Sequence, residues 1–276
     1  MHHRALHPEP SQAHPAKEPQ TMNDRYSGDT APGTLLITGA GRGIGAATAQ
    51  AAARLGYDIV LNYARDERAA RSVAKSIRTE GRKAFVIQAD VGRNEDIRRM
   101  FDTIETEIGP LRGLINNAGI TGPIGPFKDT TEEIIEQVFR VNVLGAMQCA
   151  REALDNFRRH GTRGVIVNVS SVAARTGSPG EYVHYAASKA ALEAFTLGLA
   201  REVAGEGIRV CGVAPGSTLT DIHAAAGEPD RPARVAPRIP MGRLAEPAEI
   251  AETIVWLASP AASYVTGTTL ACAGGL

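Results

Sequence analysis

The sequence predicts an α/β protein: one parallel sheet of about seven strands, covered by helices on both faces, in a single doubly wound domain. Three observations predict it. From Thr34 onward, short apolar, β-branched runs alternate with longer amphipathic stretches of helix length, the pattern of strands buried on both faces. The first of these runs passes through a cluster of glycines straight into an alanine-rich stretch, giving the order strand, tight turn, helix. No repeat and no second linker follows, so one domain is expected over residues 33–276.

Taken in order, residues 1–32 stand apart. They are rich in Pro, His, Gln and charge and almost free of aliphatic residues, so they cannot bury enough apolar surface to offset ordering and are expected to be a disordered tail. His2, His3, His7 and His14 are possible metal ligands there. The plainer reading is a polar tail, or a start placed too early with Met22 as the alternative, and no function is assigned to it. Strand candidates then alternate with helix candidates. Leu35–Thr38 leads to Ile44–Leu55, Asp58–Tyr63 to Glu67–Thr79, and Ala84–Gln88 to Glu95–Ile108. Gly113–Asn116 leads to Glu132–Arg159, Val165–Ser170 to Tyr182–Ala204, and Ile208–Val213 to Pro247–Leu257, with Thr268–Cys272 last. Right-handed crossovers between such strands give a doubly wound sandwich.

Composition narrows the function classes. Apolar residues make up 43% of the 276, enough for a sizeable core, and 30 basic residues balance 30 acidic ones. That balance leaves no electrostatic footprint for nucleic acid or an anionic membrane. Cys149, Cys211 and Cys272 are odd in number, far apart and without metal-ligand spacing, as expected of reduced thiols in the cytoplasm. No apolar run reaches the roughly 20 residues that span a bilayer, and no signal-peptide core is seen. The expectation is a cytoplasmic protein with no membrane, nucleic-acid or metal partner.

The first strand ends in Thr38-Gly39-Ala40-Gly41-Arg42-Gly43-Ile44-Gly45. Glycines let the backbone turn tightly and approach a pyrophosphate, and the free N–H groups at the helix start favour an anion. A plain turn would also use glycine, but the position between strand and helix is what dinucleotide binding requires. The spacing Gly39-x-x-x-Gly43-x-Gly45, preceded by Thr38, resembles the short-chain dehydrogenase/reductase family, with its TGxxxGxG turn. Further matches follow in order: Asn116-Asn117-Ala118-Gly119, Ser171, Tyr185-x-x-x-Lys189, and Pro215-Gly216. The resemblance covers about residues 34–276 and implies a Rossmann-type fold and an oxidoreductase that interconverts a carbonyl and an alcohol.

Tyr185 and Lys189, four apart in a helical stretch, share one helix face. A phenol ionises near pH ~10, too high for an efficient acid/base at neutrality, and a neighbouring ammonium favours the phenolate. The resemblance implies that Tyr185 exchanges a proton with the substrate oxygen, Lys189 also holds the nicotinamide ribose, and the strand-end serine bonds the substrate. Ser170 and Ser171 compete for that last role, and Ser171 aligns better. Tyr185 follows Ser171 by 14 positions, one more than the commonest family spacing, with the extra residue in Gly177-Ser178-Pro179-Gly180. Asn142 sits inside the long helix candidate, where a local backbone hydrogen bond would explain it; the resemblance implies support of a water chain to Lys189. It likewise places Gly39, Arg42, Gly43, Ile44, Gly45, Asn117, Ala118 and Gly119 against the cofactor. Asp90-Val91 is placed at its adenine, and Pro215, Gly216, Thr218 and Thr220 at its nicotinamide end.

The second strand ends in Tyr63, where an acidic residue usually selects NAD. Arg42 and Arg65 offer guanidinium groups to a 2′-phosphate with no nearby carboxylate to repel it. NADP(H) is therefore expected, with NAD(H) possible; solvated surface arginines are the competing explanation. The substrate region is expected between Leu219 and about Arg243, as a lid. Arg231, Arg234 and Arg238 there read either as a docking patch for an acyl carrier or as a solvated face. Tyr182 and His184 read as pocket lining or helix packing, and Trp256 and Tyr264 as core or interface. The resemblance implies a homotetramer, with a homodimer next. Two rivals are a non-catalytic dinucleotide sensor, which should lack the tyrosine or lysine, and a sugar-nucleotide epimerase, which needs a larger C-terminal part than the about sixty residues after Pro215.

Overall fold

Strand and helix follow one another along the whole of the described chain, residues 32–276 of a computed structural model. The expected tail, with its four histidines and Met22, lies outside the described residues apart from Pro32. Seven strands form one parallel sheet: β1 (Thr34–Ile37), β2 (Asp58–Tyr63), β3 (Ala84–Gln88), β4 (Leu111–Asn116), β5 (Val165–Val169), β6 (Arg209–Pro215) and β7 (Thr269–Cys272). Their order is β3-β2-β1-β4-β5-β6-β7. The helices in chain order are α1 (Gly43–Arg54), α2 (Glu67–Thr79), α3 (Asn94–Thr103), α4 (Glu132–Phe139), α5 (Ala146–Arg159), α6 (Ala173–Thr176), α7 (Val183–Val203), α8 (Ile222–Ala225), α9 (Arg231–Val235) and α10 (Pro247–Ala258).

Strand side chains alternate between two cores, as the period of two requires. Leu35 and Ile37 of β1 face one layer, with alanines of α1 and Ile250 and Ile254 of α10. Leu36 faces the other, with Ile97 and Phe101 of α3, Phe157 of α5 and Val203 of α7. β1 pairs with both β2 and β4, so the winding reverses between β1 and β4. Their C-terminal ends open a crevice at that reversal, where doubly wound folds bind ligands.

The clearest departure from expectation is Glu132–Arg159, read as one helix. It is two helices joined by a π-turn at Arg140–Gly145. A side chain at Gly145 would collide with the Val91 carbonyl, so the helix meets β3's following loop only through a bare backbone. A wider turn there lets the long segment bend around it. A second π-turn, Ile104–Ile108, closes the segment expected as Glu95–Ile108. Strand ends move by one or two residues, the usual fraying of boundaries.

Trp256 and Tyr264 are not core: they are 40% and 102% exposed. Cys149 and Cys211 are buried, Cys272 is half-buried, and all three are free. Among the described residues no helix is long and apolar enough to cross a membrane.

Candidate active site

The crevice is built first by backbone ties between β1 and β4. Thr38 Oγ1 accepts the backbone N–H of both Asn117 and Ala118, each at 3.0 Å. The Asn117 side chain returns two bonds, to the carbonyls of Thr38 (2.8 Å) and Gly39 (3.2 Å). Gly39 and Gly43 take φ values of 63° and 53°, the left-handed region that suits glycine. A side chain at Gly45 would collide with the Gly39 carbonyl and the Asn117 amide. These glycines and Ile44, in the first turn of α1, therefore form a tight cradle with backbone N–H groups at a helix start, which fits a pyrophosphate. Asn62, which sequence reasoning missed, braces the cradle from β2. It accepts from Gly39 N at 3.3 Å, donates to Ala89 O at 2.9 Å, and is 2% exposed. The available signal was an asparagine inside an otherwise apolar strand.

The other expected cofactor residues line the same end of the sheet. Asp90 turns one carboxylate oxygen to Gly92 N at 2.9 Å, and Val91 is buried beside α5. Gly216, after Pro215, passes against the backbone of Ala273, where a side chain would have 2.8 Å of room. Thr218 is buried and donates to Gly216 O at 3.1 Å. The Thr220 methyl lies over Gly43, so the segment after β6 touches the glycine turn.

Lys189 and Tyr185 point from α7 to this end. Both are buried, and Lys189 Nζ lies 5.7 Å from the Tyr185 ring centroid. Nζ donates to Val169 O, at the end of β5, at 2.8 Å. Burial pushes the Lys189 ammonium down to about 8. Burial also raises the Tyr185 phenol above its ordinary value, while a hydrogen bond with Ser171 and the charge of Arg231 pull it back. The net effect is upward, not the lowering expected from Lys189, and the phenol is protonated at neutral pH.

Of the competing serines, Ser170 turns inward, donating to Lys189 O at 3.3 Å and Glu193 Oε1 at 3.1 Å. Ser171 faces Tyr185, and its Oγ accepts from Ala173 N at 3.1 Å. In the longer loop between Ser171 and Tyr185, Ser178 takes a φ of 46°.

Asn142 makes no local backbone bond of the expected kind. From the π-turn it holds both backbone groups of Ile120, accepting at 2.9 Å and donating at 2.8 Å, and it donates to Ser188 Oγ at 3.0 Å. A side chain at Gly119 would meet both Asn142 Oδ1 and Lys189 Nζ at 3.3 Å. The two groups therefore converge on the bare backbone of Gly119.

Two expectations are corrected around the rim. Arg42 does have a carboxylate near it: Asp221 Oδ2 is 3.9 Å away, although both side chains are exposed. Glu67 likewise acts on half-buried Tyr63, and Arg65 is exposed. Arg231 is buried and Arg234 exposed, and both are paired with Glu181 at 2.6 and 2.7 Å instead of standing free; Arg238 is exposed and not matched in this way. His184 is buried packing, with Nε2 2.8 Å from Thr121 O. Tyr182 stands edge-on to Tyr185, with centroids 5.3 Å apart.

A glycine cradle at the winding reversal, with a tyrosine, lysine and serine converging beside it, defines the class, and comparison with known proteins names it. The family described as enoyl-(acyl carrier protein) reductase matches residues 39–276. The uncharacterized oxidoreductase YgfF of Escherichia coli is 48% identical over 87% of this chain and 98% of its own length. The 3beta-hydroxysteroid dehydrogenase 1 of Eggerthella lenta is 39% identical over 88% of this chain and 93% of its own. A short-chain type dehydrogenase/reductase from Mycobacterium marinum superposes with a TM-score of 0.86 at 32% identity, covering 92% of this chain and 98% of that one. The chain belongs to the short-chain dehydrogenase/reductase family and is an oxidoreductase of that type.

Proposed function

We propose that the protein is an NADP(H)-dependent oxidoreductase that interconverts a small ketone or aldehyde and an alcohol, with Tyr185 as the acid/base. The observation that carries this reading is the meeting of Tyr185, Ser171 and Lys189 at the C-terminal ends of β4 and β5, beside the glycine cradle. Gly39, Gly43, Ile44 and Gly45 would hold the pyrophosphate, Asp90 and Val91 the adenine, Asn117, Ala118, Gly119 and Lys189 the ribose side, and Pro215, Gly216, Thr218 and Thr220 the nicotinamide amide. When bound, the nicotinamide supplies or takes up the hydride.

The chain's own residues handle the proton. Ser171 donates a hydrogen bond to the substrate oxygen. Tyr185, protonated at neutral pH, gives its phenolic proton to that oxygen as the carbonyl is reduced, and its phenolate takes the proton back when an alcohol is oxidised. Lys189 stabilises the phenolate, and Asn142 keeps the Ile120 backbone and α7 in place around it. Preference for NADP(H) over NAD(H) is supported by Arg42 in the glycine turn and Arg65 just after β2, with Tyr63 in place of an acidic residue at the strand end. Asp221 competes for Arg42 and reduces that advantage. The free thiols fit a cytoplasmic protein. Exposed Leu144, Leu197, Trp256 and Tyr264 support a homotetramer or homodimer.

The test is turnover of NADPH and NADH against ketones, diketones, aldoses and acyl thioesters, for wild type and Tyr185→Phe. Expected is consumption of NADPH with some carbonyl, lost at least about a hundredfold in the phenylalanine variant while cofactor still binds. Tight cofactor binding with no turnover in either direction would instead leave a dinucleotide-binding protein.

A further inference from the structure

Tyr185 meets more than its own helix. Arg231 opens α9, on the segment between β6 and α10, and its side chain is 9% exposed, rare for arginine without a partner. Its Nη2 donates to Glu181 Oε2 at 2.6 Å, just ahead of α7, and its guanidinium carbon lies 5.4 Å from the Tyr182 ring centroid. Tyr182 in turn stands at 87° to the Tyr185 ring. Arg234 takes the other Glu181 oxygen at 2.7 Å and Glu228 Oε1 at 2.6 Å. Two arginines and two carboxylates thus fasten the segment after β6 to the lead-in of the catalytic helix. One donor is left over, because Arg231 Nε is buried with no partner. A buried charge with an unmet donor costs stability, and such departures concentrate at functional sites.

We propose that Arg231 is a positioning residue for Tyr185: held by Glu181 and resting on Tyr182, it fixes the substrate-side surroundings of the phenol and brings a positive charge to it. The inference rests on Tyr185 being the acid/base. Of the other groups around the phenol, Lys189 is a second cation, on the same helix 5.7 Å from the ring and held by Val169 O; Tyr182 starts that helix, His184 turns to Thr121, and Ser171 is a neutral hydroxyl. Val138 of α4 and Ala173 of α6 are apolar. Glu181 is engaged by Arg231 and Arg234. Arg231, with the Ser171 hydrogen bond, lowers the phenol against the rise that burial imposes, so removing its charge leaves only Ser171 to oppose that rise.

The test titrates Tyr185 directly and needs no known substrate. Tyrosinate absorbance is followed in stopped-flow pH jumps, faster than alkaline unfolding, and the Tyr185→Phe signal is subtracted. Expected is an upward move of the Tyr185 step by about one pH unit in Arg231→Gln or Arg231→Met, and a step near wild type in Arg231→Lys. Two neutral variants are used so that one that fails to fold does not decide the matter. With a carbonyl that the enzyme reduces, kcat should fall about tenfold in the neutral variants at unchanged cofactor affinity, and recover with lysine. A Tyr185 step at the wild-type pH in a folded neutral variant overturns the role of Arg231. Turnover that survives Tyr185→Phe overturns the acid/base reading itself, whatever the titration shows.

Discussion

Lys189 sits where its function needs it and where its stability suffers. In the folded chain burial holds its ammonium at about 8, against 10.5 for the free side chain. The unfolded chain therefore binds more protons between those values, and stability from this group rises with pH across that window. At neutral pH the buried charge is a net cost. Lys189→Met is expected to raise the stability of the cofactor-free protein by about 1–3 kcal/mol at pH 7 while abolishing turnover. Denaturant unfolding should show that advantage shrinking from pH 8 to pH 10.5. The opposite trade is expected at Gly45. There, Gly45→Ala pushes a methyl into the Gly39 carbonyl and the Asn117 amide; cofactor affinity should fall at least about tenfold by titration, with about 1–3 kcal/mol of stability. At this scale the motif residues were legible because their spacing within one turn or one helix face, and their order along the chain, stand in the sequence itself. Asn62 and Arg231 were not, since an asparagine or an arginine acquires its role only from what it touches.

At the scale of elements, the stretch from Glu132 to Arg159 shows what amphipathic pattern alone misses. The pattern is that of one helix, yet the chain widens at Arg140–Gly145 so that Gly145 can pass the Val91 carbonyl and Asn142 can reach Ile120. Asn142→Ala leaves the Ile120 N–H and carbonyl without their partner. It is expected to cost about 2–4 kcal/mol in thermal or denaturant unfolding, whereas Asn142→Asp, which keeps the acceptor, should cost less. The segment after β6 is the second case. It read as a lid with no helix placed in it, and the structure puts α8 and α9 there, with α9 pinned by Glu181. Neither short helix is long enough to announce itself by periodicity, and what orders α9 is an ion pair to a residue far back in the chain.

For the whole molecule, the parallel sheet and its winding reversal place every motif at one end, so residues from Thr38 to Thr220 meet in one crevice. Its outer surfaces leave Leu144 and Leu197 exposed on one helical layer and Trp256 on the other. If each layer makes a self-interface, Leu144→Glu and Trp256→Glu should each lower the assembled mass in light scattering by a factor of about two, leaving folded dimers. An unchanged mass in both variants would remove those faces from the assembly.

The alternation of apolar runs and amphipathic stretches was enough to set the fold class, because burial on both faces of a parallel sheet imposes that composition on any chain that forms one. The glycine spacing and the Tyr185–Lys189 pair were enough to locate the candidate chemistry, because both depend on geometry within one turn or one helix face. What only the tertiary structure decided depends on contacts between distant segments. It turned Ser170 toward Glu193, set Asp221 beside Arg42, and buried Arg231 against Tyr182. Local sequence carries no record of such neighbours, since their burial and charge environment come into being only when the sheet brings the segments together.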